Sequence, residues 1–458
     1  MTSTPGPSAG TPPRTDGLLD VLDRARQDEL LQMRNDLMTV YREFSCTDPR
    51  LFPLRYTRTG IGRARPGVPP VLVIPGGPGT ASVIPYEALR RRLAARGLSS
   101  VMVEHRGVGL SRLDSTGRDL PAHAMTVEGA VGDLIAVLEH ARIPQAVVLG
   151  SGYGAYLAQI LAAQRPDLVH SLVLDSPLTS AEDEACSQRA LRARYWDGSV
   201  ERTESIARTL RRLVHLSVLD GSRAGPILLR VHDVGGTEAV RELVDLLALD
   251  RGRLTWNSVR QTLTQEWLQS TPYFFEQDLV GHLAHTRLGQ GAHADGGPMD
   301  PLQLAAARAR AVAPFTGEEY DVHELSRQIT APTLVLSGSE DLVIPPEISR
   351  ALVDRIPGAS LLTLPGVGHS LLDTHSPIAE VAVRWSAAGA AHLLPERAQE
   401  LVTLPRTPAN WAFLTGIRTA LAVERVSPWR LWVESARGRR AGALADPTRR
   451  RVRHVRQE

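Results

Sequence analysis

The sequence predicts an α/β fold with a mostly parallel central sheet, helices on both faces and an inserted helical lid. Three observations predict it. Short apolar runs at 71–74, 101–103, 147–149, 172–174 and 333–336 each end in a turn containing glycine or an acid. Helix-patterned stretches such as 127–141 and 155–164 lie between them, and strands alternating with helices indicate a parallel sheet covered on both sides. The alternation stops between about 180 and 328, where helical patterns follow one another, and resumes at 329.

Taken in order, residues 1–17 are mostly Pro, Gly, Ser and Thr and are expected to be disordered. Residues 18–52 read as a helical extension, because Leu18, Leu22, Leu30, Leu37, Val40, Tyr41 and Phe44 fall at roughly helical spacing. Residues 53–180 form the first part of the core and 181–328 the lid, with helical patterns at 181–195, 201–219, 237–249 and 301–312. The core resumes over 329–385. Residues 386–458 form an extension holding Trp411, Trp429 and Trp432, and from Arg437 it carries eight Arg against Asp446 and Glu458. A solvated tail explains that run.

Composition narrows the class. With 43% hydrophobic and 22% charged residues in 458, the chain can build an ordinary core, which excludes a disordered chain and a coiled coil. All 52 basic residues are Arg, and 50 acidic residues nearly cancel them to +2, so no nucleic-acid partner is expected. Cys46 and Cys186 cannot make a disulfide framework and suit a reducing cytoplasm. The first residues lack the apolar core of a signal peptide, and no apolar run is long enough to span a membrane. A cytoplasmic protein without a membrane partner is expected; its oligomeric state is not legible. No metal-ligand spacing and no convincing phosphate or dinucleotide fingerprint is present, so neither metal nor cofactor is expected.

Four patterns carry the chemistry. Pro75-Gly-Gly-Pro-Gly79 follows a strand, and its glycines let the N–H groups of Gly76 and Gly77 turn toward a developing oxyanion. Glu104-His-Arg-Gly-Val-Gly-Leu-Ser111 follows the next strand; Glu104 and Arg106 read as ties between loops, and His105 as structural. Gly338-Ser-Glu-Asp341 offers a carboxylate to orient a histidine, and Gly366-Val-Gly-His369 offers a general base. The order of Asp341 then His369 is that of an α/β-hydrolase triad, with Asp175 as the alternative acid.

Together these motifs resemble the prolyl aminopeptidase (proline iminopeptidase) family of α/β-hydrolases, over roughly 53–180 and 329–385. Pro75 stands where the family usually has the His of H-G-G-P-G. Glu104 and His105 stand where it usually has the Asp and Gln of D-Q-R-G. The resemblance implies the α/β-hydrolase fold and removal of an N-terminal residue, often proline, from a peptide or related amide or ester. The departure lies at the nucleophile. Aligning Gly150-Ser-Gly-Tyr-Gly154 on the family's G-x-S-x-G elbow puts Gly152 at the centre, where no hydroxyl exists, and Ser151 one residue early. Glycine accepts the strained positive-φ turn of the elbow. Tyr153 still supplies a backbone N–H to the oxyanion site.

Three functions therefore stand open: a Ser-His-Asp type hydrolase scaffold, impaired at Gly152 or using a displaced Ser151; a catalytically silent ligand-binding protein; and a His-Asp general-base enzyme without a serine. Glu182, Glu184, Glu318 and Glu319 are lid candidates for gripping a substrate amine, although a solvated helix face explains each as well.

Overall fold

The computed structural model describes residues 34–268 and 270–426. The stretch 1–17, residues 18–33 of the expected helical extension, Trp429, Trp432 and the Arg-rich tail lie outside the described residues.

Among the described residues, eight strands form one sheet: β1 (Leu37–Ser45), β2 (Asp48–Thr59), β3 (Val71–Ile74), β4 (Ser100–Val103), β5 (Ala146–Ser151), β6 (Val169–Asp175), β7 (Thr333–Gly338) and β8 (Ser360–Leu364). Their order is β1-β2-β4-β3-β5-β6-β7-β8. β1 pairs antiparallel with β2, and β2 antiparallel with β4; from β4 to β8 every pair is parallel.

One sequence expectation is corrected here. Residues 37–45 are not helical; they form β1, which makes a hairpin with β2, so the sheet begins well before residue 53. Val40, Arg42 and Phe44 turn inward while Tyr41 and Glu43 face solvent. That is a period of two, carried by β-branched and aromatic residues that favour strands. The spacing from Leu37 to Val40 to Phe44 fits a helix equally well, which is why the pattern misled.

The parallel strands alternate their burial between two faces. Leu72, Ile74, Val148, Leu172, Leu174 and Val335 pack with residues of the helices Val127–His140 and Tyr153–Gln164. Val71, Val73, Val147, Leu149, Val173 and Leu334 pack with the helices Glu87–Ala95 and Ser376–Ala387. Each such side chain contributes about 1.5–3 kcal/mol relative to exposure, so both faces hold the strand ends firmly in register.

Between β6 and β7 the chain is mainly helical, including Asp183–Arg192, Glu204–His215, Gly221–Ala248 and Arg253–Leu268. The long helix Gly221–Ala248 breaks at Gly236 (φ 70°, ψ −173°), so the helical pattern at 237–249 is its second half. The lid has its own core, in which Leu191, Ile206, Leu210, Leu228, Val231 and Leu243 meet Leu414, Ile417 and Leu421 of the helix Pro408–Val426. The extension thus divides: Leu394 and Leu401 pack with Leu362 and Leu364 of β8, and the helix Pro408–Val426 packs on the lid.

Candidate active site

The site stands at the carboxyl ends of the strands, where an open parallel sheet collects its functional groups. β5 runs into the helix Tyr153–Gln164 with Gly152 alone between them, at φ 50° and ψ −113°. Apart from its chain neighbours, a Cβ built on Gly152 would meet a single heavy atom of the described residues within 4 Å, Gly76 Cα at 3.8 Å. The position is sterically open, and its backbone is one that side-chain-bearing residues rarely adopt.

Ser151 ends β5 and is buried. Its Oγ donates to Asp175 Oδ2 at 2.9 Å and lies 3.1 Å from Ser370 Oγ. Ser151 touches the cavity, but its hydroxyl is engaged with a carboxylate and meets no imidazole among the described residues. We expect Ser151→Ala to leave turnover within about twofold and to cost about 1 kcal/mol, the worth of one buried hydrogen bond. Steady-state kinetics and thermal melts check this; abolished turnover would show that the nucleophile sits at 151.

Asp341, after β7, and His369, after β8, come together. His369 Nδ1 is 3.0 Å from Asp341 Oδ2, while Asp341 Oδ1 accepts from Val343 N at 2.9 Å and Ile344 N at 2.8 Å. Burial pulls the imidazole's pKa down, but Asp341, by charge and hydrogen bond, then Asp233 and Asp175 by charge, overcome it and raise it to about 9. With Nδ1 held by Asp341, Nε2 has no hydrogen-bond partner among the described residues, and the ring lines the cavity. The hydrogen bond to the imidazole comes from Asp341; Asp175 instead accepts from Leu371 N at 3.0 Å and Leu372 N at 2.9 Å and so anchors the segment that follows His369. Burial raises its carboxyl to about 6.

Gly76 and Gly77, after β3, line the same cavity as Gly152, Tyr153 and His369. Tyr153 is the first residue of its helix, so its N–H has no intrahelical acceptor. The lid leans on this loop. Thr80 bridges to Phe275, and Glu276 N donates to Gly79 O at 2.8 Å.

The second motif ties loops together. Glu104 accepts from Ser82 N, Val83 N and Leu110 N, and burial raises its carboxyl to about 7. Arg106 pairs with Asp133 through two nitrogens and donates to Phe44 O and Ala124 O. His105 is buried against Tyr153, and burial lowers its pKa to about 4.

The cavity encloses about 420 Å³, with Leu178, Leu229, Leu288 and Leu302 among its walls. Of the four acidic candidates in the lid, Glu184 lines it, accepting from Gly291 N at 2.8 Å, with burial raising its carboxyl to about 7. Glu182 is exposed, Glu318 meets Tyr156 OH, and Glu319 accepts from Glu128 N. Sequence reasoning missed His232 and Asp233 in the lid, which contact the loops of Asp341 and His369. The only signal was a His-Asp pair just before Gly235-Gly236.

A mostly parallel sheet with an elbow after β5, an acid after β7 and a histidine after β8 defines an α/β-hydrolase. Residues 69–224 match the family described as alpha/beta hydrolase fold, and residues 307–385 match the family described as TAP-like protein. Over 323 residues the chain is 25% identical to the rhodomycin D methylesterase DauP of Streptomyces sp. (strain C5), spanning 70% of this chain and 91% of that protein. Over 331 residues it is 24% identical to a proline iminopeptidase of Levilactobacillus brevis, spanning 72% and 91%. A solved proline iminopeptidase from Mycobacterium smegmatis superposes with a TM-score of 0.46 at 20% identity, covering 77% of this chain and 100% of that one. The chain thus has the α/β-hydrolase fold and is similar to proline iminopeptidases and to esterases.

Proposed function

We propose that this chain hydrolyses a small amide or ester of an N-terminal residue through His369 and Asp341 acting directly on water, with no acyl-enzyme. The observation that carries this reading is Gly152 at the elbow centre, with open space where a serine side chain would stand. His369 Nε2 takes a proton from water, and the oxygen attacks the substrate carbonyl carbon. The N–H groups of Gly76, Gly77 and Tyr153 receive the oxyanion. As the intermediate collapses, the C–N or C–O bond breaks and the leaving group takes the proton back from Nε2. The apolar walls and the Glu184 carboxylate fit a small residue carrying a free amine.

This mechanism has a definite pH signature. The base must be neutral imidazole, and its pKa is raised to about 9. The rate of hydrolysis should rise about tenfold per pH unit from 6 and level off near 9. Stability runs the other way. The raised pKa contributes stability that is complete below the ordinary value of 6.5 and is lost as pH rises through about 9. Initial rates on prolyl and alanyl aryl amides across this range, with a fluorophosphonate probe alongside, test the reading. Turnover without labelling is expected. Labelling of the wild type would overturn it, and ligand binding without turnover at any pH would make the chain a silent binder.

A further inference from the structure

Two neighbouring lid residues hold the two loops on which the proposed base depends. His232 Nε2 donates to the carbonyl of Glu340, the residue before Asp341, at 2.8 Å. Its Nδ1 meets Tyr195 OH at 2.7 Å. Burial lowers the His232 pKa to about 4, so the ring is neutral, with its one proton on Nε2 and Nδ1 accepting from the tyrosine. Arg194 pairs with the Glu340 carboxylate from the same side. Asp233 Oδ1 accepts from the backbone N–H of His369 itself at 2.9 Å. The loop lies close on this residue: a Cβ on Gly368 would come within 3.0 Å of Asp233 Oδ1.

The helix bearing the pair is itself fixed. Arg406 donates to Val234 O at 3.2 Å, just before the break at Gly236. Thr407 N donates to Thr374 O at 2.8 Å and Thr407 Oγ1 to Asp373 O at 2.6 Å, on the segment that follows His369. Leu414, Ile417 and Leu421 continue the clamp into the lid core. The C-terminal extension therefore ties the lid helix and the histidine loop to one another.

We propose that Asp233, supported by His232, is a positioning residue. It sets the backbone of His369 from the lid and stands as a second carboxylate toward that imidazole, so the base is complete only with the lid seated. This rests on reading His369 as the base, but its test does not need turnover. The charged groups facing His369 are Asp341 after β7, Asp175 at the end of β6 and Asp233 on the lid; Arg230 and Arg406 in turn face Asp233.

The experiment is an NMR titration of the His369 imidazole in the full chain, wild type against Asp233→Asn. The substitution keeps an oxygen for the His369 N–H and removes the charge. The midpoint should fall from about 9 by roughly one unit with the melting temperature nearly unchanged, and Asp233→Glu should recover most of it. A folded Asp233→Asn with the wild-type midpoint would overturn the proposal. Should Asp233→Asn not fold, hydrogen exchange of the wild-type His369 amide decides. Protection like that of the β8 amides is expected, and exchange at the rate of an open loop overturns it. If turnover is absent at every pH while the midpoint still shifts, the base reading has failed and the positioning role stands.

Discussion

Gly152→Ser should raise hydrolysis of N-terminal prolyl or alanyl aryl amides by about a thousandfold or more and make the chain react with fluorophosphonates. The magnitude follows from what an oriented hydroxyl contributes where the base and oxyanion donors already exist; removing a nucleophilic serine from such a unit costs more than that. The remaining parts are in place. The elbow centre has φ 50° and ψ −113°, with Gly76 Cα at 3.8 Å as the nearest obstacle to a Cβ, and Asp341 already holds His369 Nδ1. A side chain in this backbone region costs about 1–2 kcal/mol, so the gain should come with a lower melting temperature. The pH profile should change as well. A serine hydroxyl replaces water as the proton donor to Nε2, and a burst of the released aryl amine should precede steady turnover. A folded variant that is neither faster nor labelled would mean that the oxyanion loop or the lid no longer fits an acyl intermediate, and the cleft would then be a binding site.

How much of this was legible in the sequence depends on the reach of each signal. Parallel strands buried on both faces write themselves as unbroken apolar runs, so β3 and β5 to β7 stood out. The elbow, Gly76 and Gly77, Asp341 and His369 each sit in the turn after such a run, and the fold brings the carboxyl ends together. β1 was not legible, because a half-exposed edge strand has only a period-two pattern, and Leu37, Val40 and Phe44 also satisfy a helix. The first half of the long lid helix, interrupted by Gly225-Pro226 and Gly235-Gly236, lacked a readable pattern as well. His232 and Asp233 act through contacts to residues more than a hundred positions away, and no local spacing encodes such contacts. The engagement of Ser151 is of the same kind. Its place in the chain suggested only a displaced hydroxyl, whereas its partner Asp175 comes from the neighbouring strand.

Gly154→Ala should be the most damaging small substitution in the elbow, lowering stability by about 3 kcal/mol or more. The three glycines of the motif are present for different reasons. Gly152 has a positive φ and open surroundings, so it tolerates atoms but not the ordinary backbone preference of other residues. Gly150 and Gly154 do not have positive φ; they are glycines because main chain lies against main chain. A Cβ on Gly154 would fall 2.1 Å from Ile74 O and 2.5 Å from Pro75 O, and one on Gly150 would fall 2.4 Å from Gly154 O. These obstacles are backbone atoms of β3, of Pro75 directly after it and of the elbow helix, and they cannot swing aside like a flexible side chain. Relief requires the helix Tyr153–Gln164 to move off the sheet, which would disturb the packing of Ala155, Tyr156 and Ala158 and the contact between the elbow and the Gly76–Gly77 loop. Urea denaturation should show a lower midpoint with an unchanged slope, since the transition still exposes the same surface. A melting temperature within a degree or two of the wild type would mean that the elbow and β3 are not in close contact, and the alignment placing Gly152 at the elbow centre would lose its structural basis.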